Sequence, residues 1–263
     1  MTLLKSARSF VADNIKPQFH DKRLDKAKAL KLEEVLRRKN PYLFRAKAVN
    51  TAGDFVKQIL DAYLSSQEET IFGAFLEGLA IDVCRNAYGG VKSTSLALDL
   101  DFTRDGTRYI VSIKSGPNWA NARQKEQMLK LFRQAKHLLG AKTHVVAVNG
   151  CCYGWDKKPE KSDGYLKLCG QDFWELISGE KELYTEIVEP LGVDAKRRTV
   201  EFDEAYAKVI NSFTRDFIAH YCDVSGGINW RKLLEMNSGS RGGWELPVTQ
   251  EIAKKCTPRK PKL

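Results

Sequence analysis

"DLDFTRDGTRYIVSIKSGPNW", residues 99–119, alternates acid with apolar residue at Asp99, Leu100, Asp101 and Phe102. It turns at Asp105-Gly106, alternates again from Tyr109 to Lys114 and stops at Ser115-Gly116-Pro117. An Asp-Gly pair between two runs of period two predicts a β-hairpin. Side chains two apart share a strand face. Asp99 and Asp101 therefore point the same way, as do Ser112 and Lys114 on the partner strand. Cross-strand neighbours lie about 5 Å apart, so an acid and Lys114 can touch one ligand. Two readings stand open. One is a surface ladder in which Asp101 pairs with Lys114 or Arg108, worth under about 1 kcal/mol. The other is a site that holds a divalent cation against a phosphate.

Outward from the hairpin, the pattern is helical before it and mixed after it. Apolar periodicity predicts helices over 2–15, 21–39 (stopped by Asn40-Pro41), 54–65 and 68–88, the last ending before Gly89-Gly90. Strands are expected at about 95–103 and 108–114, then a helix from Asn121 to Leu139. "THVVAV", 143–148, reads as a buried strand and 165–168 as another. Helices are expected again near 171–178, 180–190, 200–222 and 229–236. A hairpin followed by a strand–helix–strand step gives an α/β (α+β) fold: a mixed central sheet flanked by helices, with helical additions at both ends. The expected organisation is a basic helical region at 1–66 for DNA contact or dimerisation, a core at 67–192, a helical region at 193–253 and a disordered basic tail at 254–263.

Composition excludes several classes. With 263 residues, 43% hydrophobic and 29% charged, the chain has the make-up of a soluble globular protein. No apolar run reaches membrane-span length, and the N-terminus lacks a secretory h-region. The six cysteines show no CxxC pair and no Cys/His ligand spacing, so reduced thiols, a cytoplasmic location and no structural zinc are expected. The net charge is +10 and concentrates at the ends. Residues 1–39 hold 11 Lys/Arg against 5 Asp/Glu, and 254–263 hold 5 Lys/Arg and no acid. Basic ends around a near-neutral middle suit a polyanion partner. Solvated helix faces and a tail kept for solubility account for the charge equally well.

The preceding helix tips the balance at the hairpin. Around Glu77 the helical neighbours are Thr70, Gly73, Ala80, Ile81 and Cys84, small or apolar. A carboxylate on such a face needs a cation to stay ionised. The bland alternative is a helix-surface acid near Arg85 or Lys92.

The hairpin resembles the core of the PD-(D/E)xK nucleases, with Asp101 as the strand aspartate and Ser112-Ile113-Lys114 as the (D/E)xK element. "FGAFLEGL" (72–79), "VSIKSG" (111–116), "GQDFWELISGE" (170–180) and "WRKLLEM" (230–236) occur in the order found in one group of type II restriction endonucleases. That group cuts GGNCC-type interrupted palindromes, the RGGNCCY cutter among them. The resemblance implies a Mg²⁺-dependent homodimer that cleaves both strands of a short palindrome in double-stranded DNA, paired with a cognate methyltransferase. It assigns Asp101, Lys114, Glu77 and Ser112 to catalysis. Asp101 and the Ile113 carbonyl would hold the metal, with Glu77 reached directly or through water. Ser112 departs from the usual Asp or Glu, which leaves the metal count open. Glu126 and Asp99 are alternative auxiliary acids, although a first-turn glutamate such as Glu126 is also favoured by the helix dipole alone. Asn118, Trp119, Asn121, Arg123 and Gln124 offer the groups that read base edges, and Arg104, Lys92 and Arg241 are further DNA-binding candidates. Two rivals share the core: a structure-specific repair nuclease, and a DNA-binding protein that has lost cleavage.

Overall fold

The computed structural model describes residues 3–93, 98–140 and 143–239. Five helices come first: α1 (Leu3–Ile15), α2 (Asp21–Lys28), α3 (Leu32–Arg38), α4 (Pro41–Ala46) and α5 (Ala52–Tyr88). A π-helical turn, Lys16–His20, joins α1 to α2 around Pro17, where the ring cannot donate to the regular helical ladder. The stretch expected as one helix over 21–39 is interrupted near residues 29–31, and Pro41 opens α4 rather than only ending its predecessor. A first-turn proline loses no hydrogen bond, and the Asn40 side chain caps the Tyr42 N–H.

Two expected helices, 54–65 and 68–88, are one 37-residue helix. The polar stretch Ser65–Thr70 separates two apolar faces without breaking the backbone, because Gln and Glu are good helix formers and Arg23 pairs with Glu68. At about 1.5 Å per residue, α5 is about 55 Å long. Thr51 caps its start. Gly89, at φ 68°, ends it in the left-handed conformation that glycine adopts without strain.

The sheet has six strands in the order β1-β2-β3-β4-β6-β5. They are β1 (Val91–Ser93), β2 (Leu98–Arg104), β3 (Thr107–Lys114), β4 (Val145–Cys151), β5 (Glu160–Lys161) and β6 (Tyr165–Cys169). The β1/β2, β2/β3 and β5/β6 pairs are antiparallel, whereas β3/β4 and β4/β6 are parallel. The parallel step from β3 to β4 requires a crossover, which α6 (Ala122–Leu139) supplies. The sheet is thus the mixed one the sequence implies, with two short strands, β1 and β5, that its pattern did not reveal. Residues 95–97 of the expected first strand lie outside the described residues. Beyond the sheet come α7 (Gln171–Ser178), α8 (Leu183–Glu186), α9 (Val188–Gly192), α10 (Ala195–Tyr221) and α11 (Trp230–Ser238).

Both sheet faces are covered. Leu100, Phe102, Val111, Ile113 and Val148 pack on the second half of α5, with α1 and α7 closing that layer through Ala7, Val11, Phe173 and Trp174. Ile110, Ala147 and Tyr165 pack on Met128, Phe132 and Ala135 of α6. The first half of α5 belongs to a separate helical core with α3, α4, α10 and α11. The boundary expected at 66/67 therefore falls inside α5, and α1 packs with the sheet rather than with that helical core.

Phe55 centres the helical core. It is fully buried, stacks on Phe217 at 4.8 Å and meets Phe44 and Trp230 edge-on. Phe55→Ala is expected to lower the unfolding free energy by about 3–5 kcal/mol, read from urea denaturation; a loss below about 1 kcal/mol would show that this cluster collapses around the gap.

Candidate active site

The hairpin turn sets the site. Asp105 and Gly106 both have positive φ, 49° and 74°, as the tight primed turn requires. Arg104 then faces Thr107, Asp101 faces Ile110 and Leu100 faces Val111. The β2/β3 ladder ends there, while β3 runs on beside β4 as far as the Lys114–Cys151 pair. Where the strands part, Ile113 has no β2 backbone partner for its N–H. The Asp99 carboxylate takes that place: its Oδ2 accepts from the Ile113 N–H at 2.8 Å and from Ser112 Oγ at 3.3 Å. Lys114 Nζ lies 3.7 Å from the same oxygen and donates to the Ile113 carbonyl at 2.9 Å. Asp99, Ser112, Ile113 and Lys114 form one partly exposed cluster.

Asp101 is occupied elsewhere. It is 7% exposed and takes both arms of Arg108, Nε at 2.9 Å and Nη2 at 2.6 Å. Such a bidentate fork is the strongest form of this pair, and its hydrogen bond raises the Arg108 pKa. Asp101 thus makes the Arg108 pairing that the sequence left open, and Asp99 is the carboxylate beside Lys114.

Glu77 sits on α5 with its carboxylate 2.8 Å from Lys92 Nζ of β1. The Lys92 pKa is raised, first by that hydrogen bond; the charge of Asp99 adds to the effect. Lys92 is thus the cation paired with the helix acid, with the Asp99 charge acting on it as well. Helix α5 passes the end of β3 at Gly73, one turn before Glu77, where a Cβ would meet Ser115 Cβ at an ordinary contact distance of 3.4 Å. Behind Glu77, burial pushes the Cys152 thiol up to about 12, with the Glu77 charge contributing. That thiol is inert at neutral pH.

The other candidates separate clearly. Glu126 is exposed on α6 and touches none of Asp99, Ser112 or Lys114 among the described residues. Asn121 and Gln124 form a reciprocal capping box at the start of α6, at 3.0 and 2.9 Å, so their side chains close a helix end. Arg104 donates to the Glu175 and Leu176 carbonyls at 3.1 Å and lies over the Tyr88 ring, where it caps α7. Asn118 and Arg123 are exposed. Trp119 faces Lys114, with the ammonium 5.1 Å from its ring centre. Arg241 lies outside the described residues. Sequence reading missed Asn149, 1% exposed on β4, whose amide joins Trp119 to the Ser112 carbonyl. Its signal was a lone amide ending the apolar run "VVAV".

Among the described residues, no three His, Cys, Asp or Glu side chains gather to hold a metal. A magnesium ion needs no such cage: one or two carboxylates suffice, completed by waters and phosphate oxygens. Asp99 and the Ile113 carbonyl fit that demand, and no Cys or His donor stands with them.

A strand aspartate where two strands part, with a lysine on the second strand of a helix-covered mixed sheet, is the arrangement of a PD-(D/E)xK nuclease. Residues 5–199 match the family model described as type II restriction endonuclease EcoO109I, about three quarters of the chain, and the chain belongs to that family. It is a type II site-specific deoxyribonuclease acting on double-stranded DNA, and restriction endonucleases generally work with a divalent metal ion. No curated protein matches the chain. No helix among the described residues is long and apolar enough to cross a membrane.

The Asp101–Arg108 pair yields a direct test. Arg108→Ala leaves a buried carboxylate without its cation, and the unfolding free energy should fall by about 3 kcal/mol. A thermal melt unchanged from wild type would show that Asp101 finds another partner.

Proposed function

We propose that the chain is a Mg²⁺-dependent homodimeric restriction endonuclease that cuts a short GGNCC-like palindrome and works in the cytoplasm beside a cognate methyltransferase. We further propose that Asp99, in place of Asp101, is its strand metal ligand. The observation carrying this assignment is the division of labour on β2: Asp99 shares one cluster with Ile113 and Lys114, while Arg108 takes both oxygens of Asp101. In that bidentate pair both oxygens of Asp101 already face one cation, the Arg108 guanidinium. Asp99 Oδ1 takes no hydrogen bond among the described residues, so that oxygen suits an ion.

When bound, the ion supplies Lewis acidity toward the scissile phosphate and the attacking water. The protein's own groups do the remainder. The Asp99 carboxylate and the Ile113 carbonyl, on adjacent strands, fix where the cation stands. Lys114 places an ammonium beside them, where the pentavalent phosphorus develops negative charge. Ser112 orients Asp99 rather than acting as a ligand, since a neutral hydroxyl is a poor one. Glu77 with Lys92 forms the helix side of the site and is the auxiliary acid favoured over Glu126, which the α6 surface keeps apart. The exposed Arg123 suits a guanine contact in the major groove. A two-fold dimer reading a two-fold site accounts for cutting both strands with one active site per chain.

Plasmid DNA incubated with the purified protein and Mg²⁺ should give discrete bands, whose sequenced ends define the site; nicking confined to branched DNA would favour a repair nuclease. Asp99→Asn should lower cleavage by at least about a thousandfold in a folded protein. Asp101→Ala should chiefly lower stability, with the folded fraction still cutting. The reverse pattern returns the metal to Asp101. Lys114→Ala should bind its palindrome in Ca²⁺ yet fail to cut in Mg²⁺, and Lys114→Arg should be badly impaired because a planar guanidinium cannot replace the compact ammonium.

Arg123→Ala should weaken binding to the cognate sequence by about 1–3 kcal/mol in a mobility-shift titration. An equal loss on random DNA would make it a phosphate contact.

A further inference from the structure

Lys114 does not hold its place unaided. Its ammonium donates to a carbonyl and lies 3.7 Å from Asp99, with the Trp119 ring closing the other side at 5.1 Å. A four-carbon stem carries large rotamer freedom, so a wall that keeps the ammonium facing Asp99 matters to its work. Trp119 packs against the Met128 and Phe132 core, and its Nε1–H donates to Asn149 Oδ1 at 3.1 Å. Because indole only donates, that bond fixes the amide's orientation and turns Asn149 Nδ2 to the Ser112 carbonyl, at 3.3 Å. Asn149 lies beside Ser112 in the β3/β4 ladder. It is the one buried amide there, in a strand whose Ala147 and Val148 are packed in the two sheet-face cores.

We infer that Asn149 and Trp119 are positioning residues for Lys114: the buried amide anchors the indole, and the indole face holds the ammonium toward Asp99. This rests on the reading of Lys114 as the catalytic cation. It gives Trp119 a task different from base reading. It also explains why β4 carries an amide amid apolar neighbours: an unpaired Trp N–H and a strand carbonyl are both satisfied by one side chain. The loop that presents Trp119 is tied down independently, by Lys167 Nζ to the Pro117 carbonyl at 3.0 Å and by the Tyr153 N–H to the Ser115 carbonyl at 3.1 Å. Loss of the anchor should therefore loosen the ring without releasing the loop.

The test compares Trp119→Leu, Trp119→Phe, Asn149→Ala and the Trp119→Leu/Asn149→Ala double variant, using cleavage of a cognate duplex in Mg²⁺ and binding in Ca²⁺. Trp119→Leu and Asn149→Ala should each lower kcat by about 10- to 100-fold, the scale of a small misplacement of a reacting group, with KM and Ca²⁺-supported binding unchanged. Trp119→Phe keeps a ring face and should lose less than Trp119→Leu. The double variant should lose no more than the worse single one, because both act through one chain of contacts. Wild-type kcat in Trp119→Leu, a matching loss of Ca²⁺-supported binding, or additive losses in the double variant would each overturn the inference. Should Asn149→Ala fail to fold, the Leu and Phe variants at 119 decide alone. Lys114→Ala separates the two levels: if it cuts normally, both the catalytic reading and this inference fall, whereas an inactive Lys114→Ala beside a normal Trp119→Leu sinks only the inference.

Discussion

The two-residue turn at Asp105-Gly106 constrains everything in the site, because it sets the register of β2 against β3. With Arg104 opposite Thr107, Asp99 falls level with Ser112, two positions from Lys114, and Asp101 faces Ile110, four positions short of the lysine. Two carboxylates of the same kind, two residues apart, thereby meet different partners. One meets an arginine inside the ladder and is consumed by it. The other stands just past the ladder's end, where it accepts the Ile113 backbone N–H. Peptide groups lacking a strand partner are costly when buried, so the parting of the strands itself recruits the acid.

Helix α5 supplies the second half of the site and joins two cores that could otherwise have been separate units. Its first half is bound into the aromatic helical cluster and its second half lies across the sheet. Just past its end, Gly90 is so close to Cys84 and the sheet that a Cβ would stand 2.6 Å from the sulfur and 3.0 Å from Leu100. Glu77, on the half of α5 that packs on the sheet, pairs with Lys92 of β1.

Much of this was legible beforehand, for reasons that differ from element to element. The hairpin, the crossover helix and the buried β4 announced themselves because period two, a capped helix and a continuous apolar run are local signals. The family resemblance rested on the same blocks, and its nuclease class agrees with the family match. The assignment of the acids was harder. Alternation alone places Asp99 and Asp101 on one face and cannot rank them; counting residues back from the Asp-Gly turn would have placed Asp99 nearer Lys114. Asn121 and Gln124 looked like base readers by chemistry, but their three-residue spacing is equally that of a capping box. Arg104 was drawn by its charge to DNA, whereas its partners are two carbonyls more than seventy residues away, beyond the reach of any local pattern. The division of the long helix failed for a plainer reason: a polar stretch marks a change of packing partner as readily as an end.

A continuous α5 also has a mechanical meaning. A rod of 37 residues with no proline inside it bends only gently, so its two halves cannot reorient independently. The aromatic helical cluster and the layer over the sheet thus share one continuous helix, and Glu77 stands on the half that packs on the sheet.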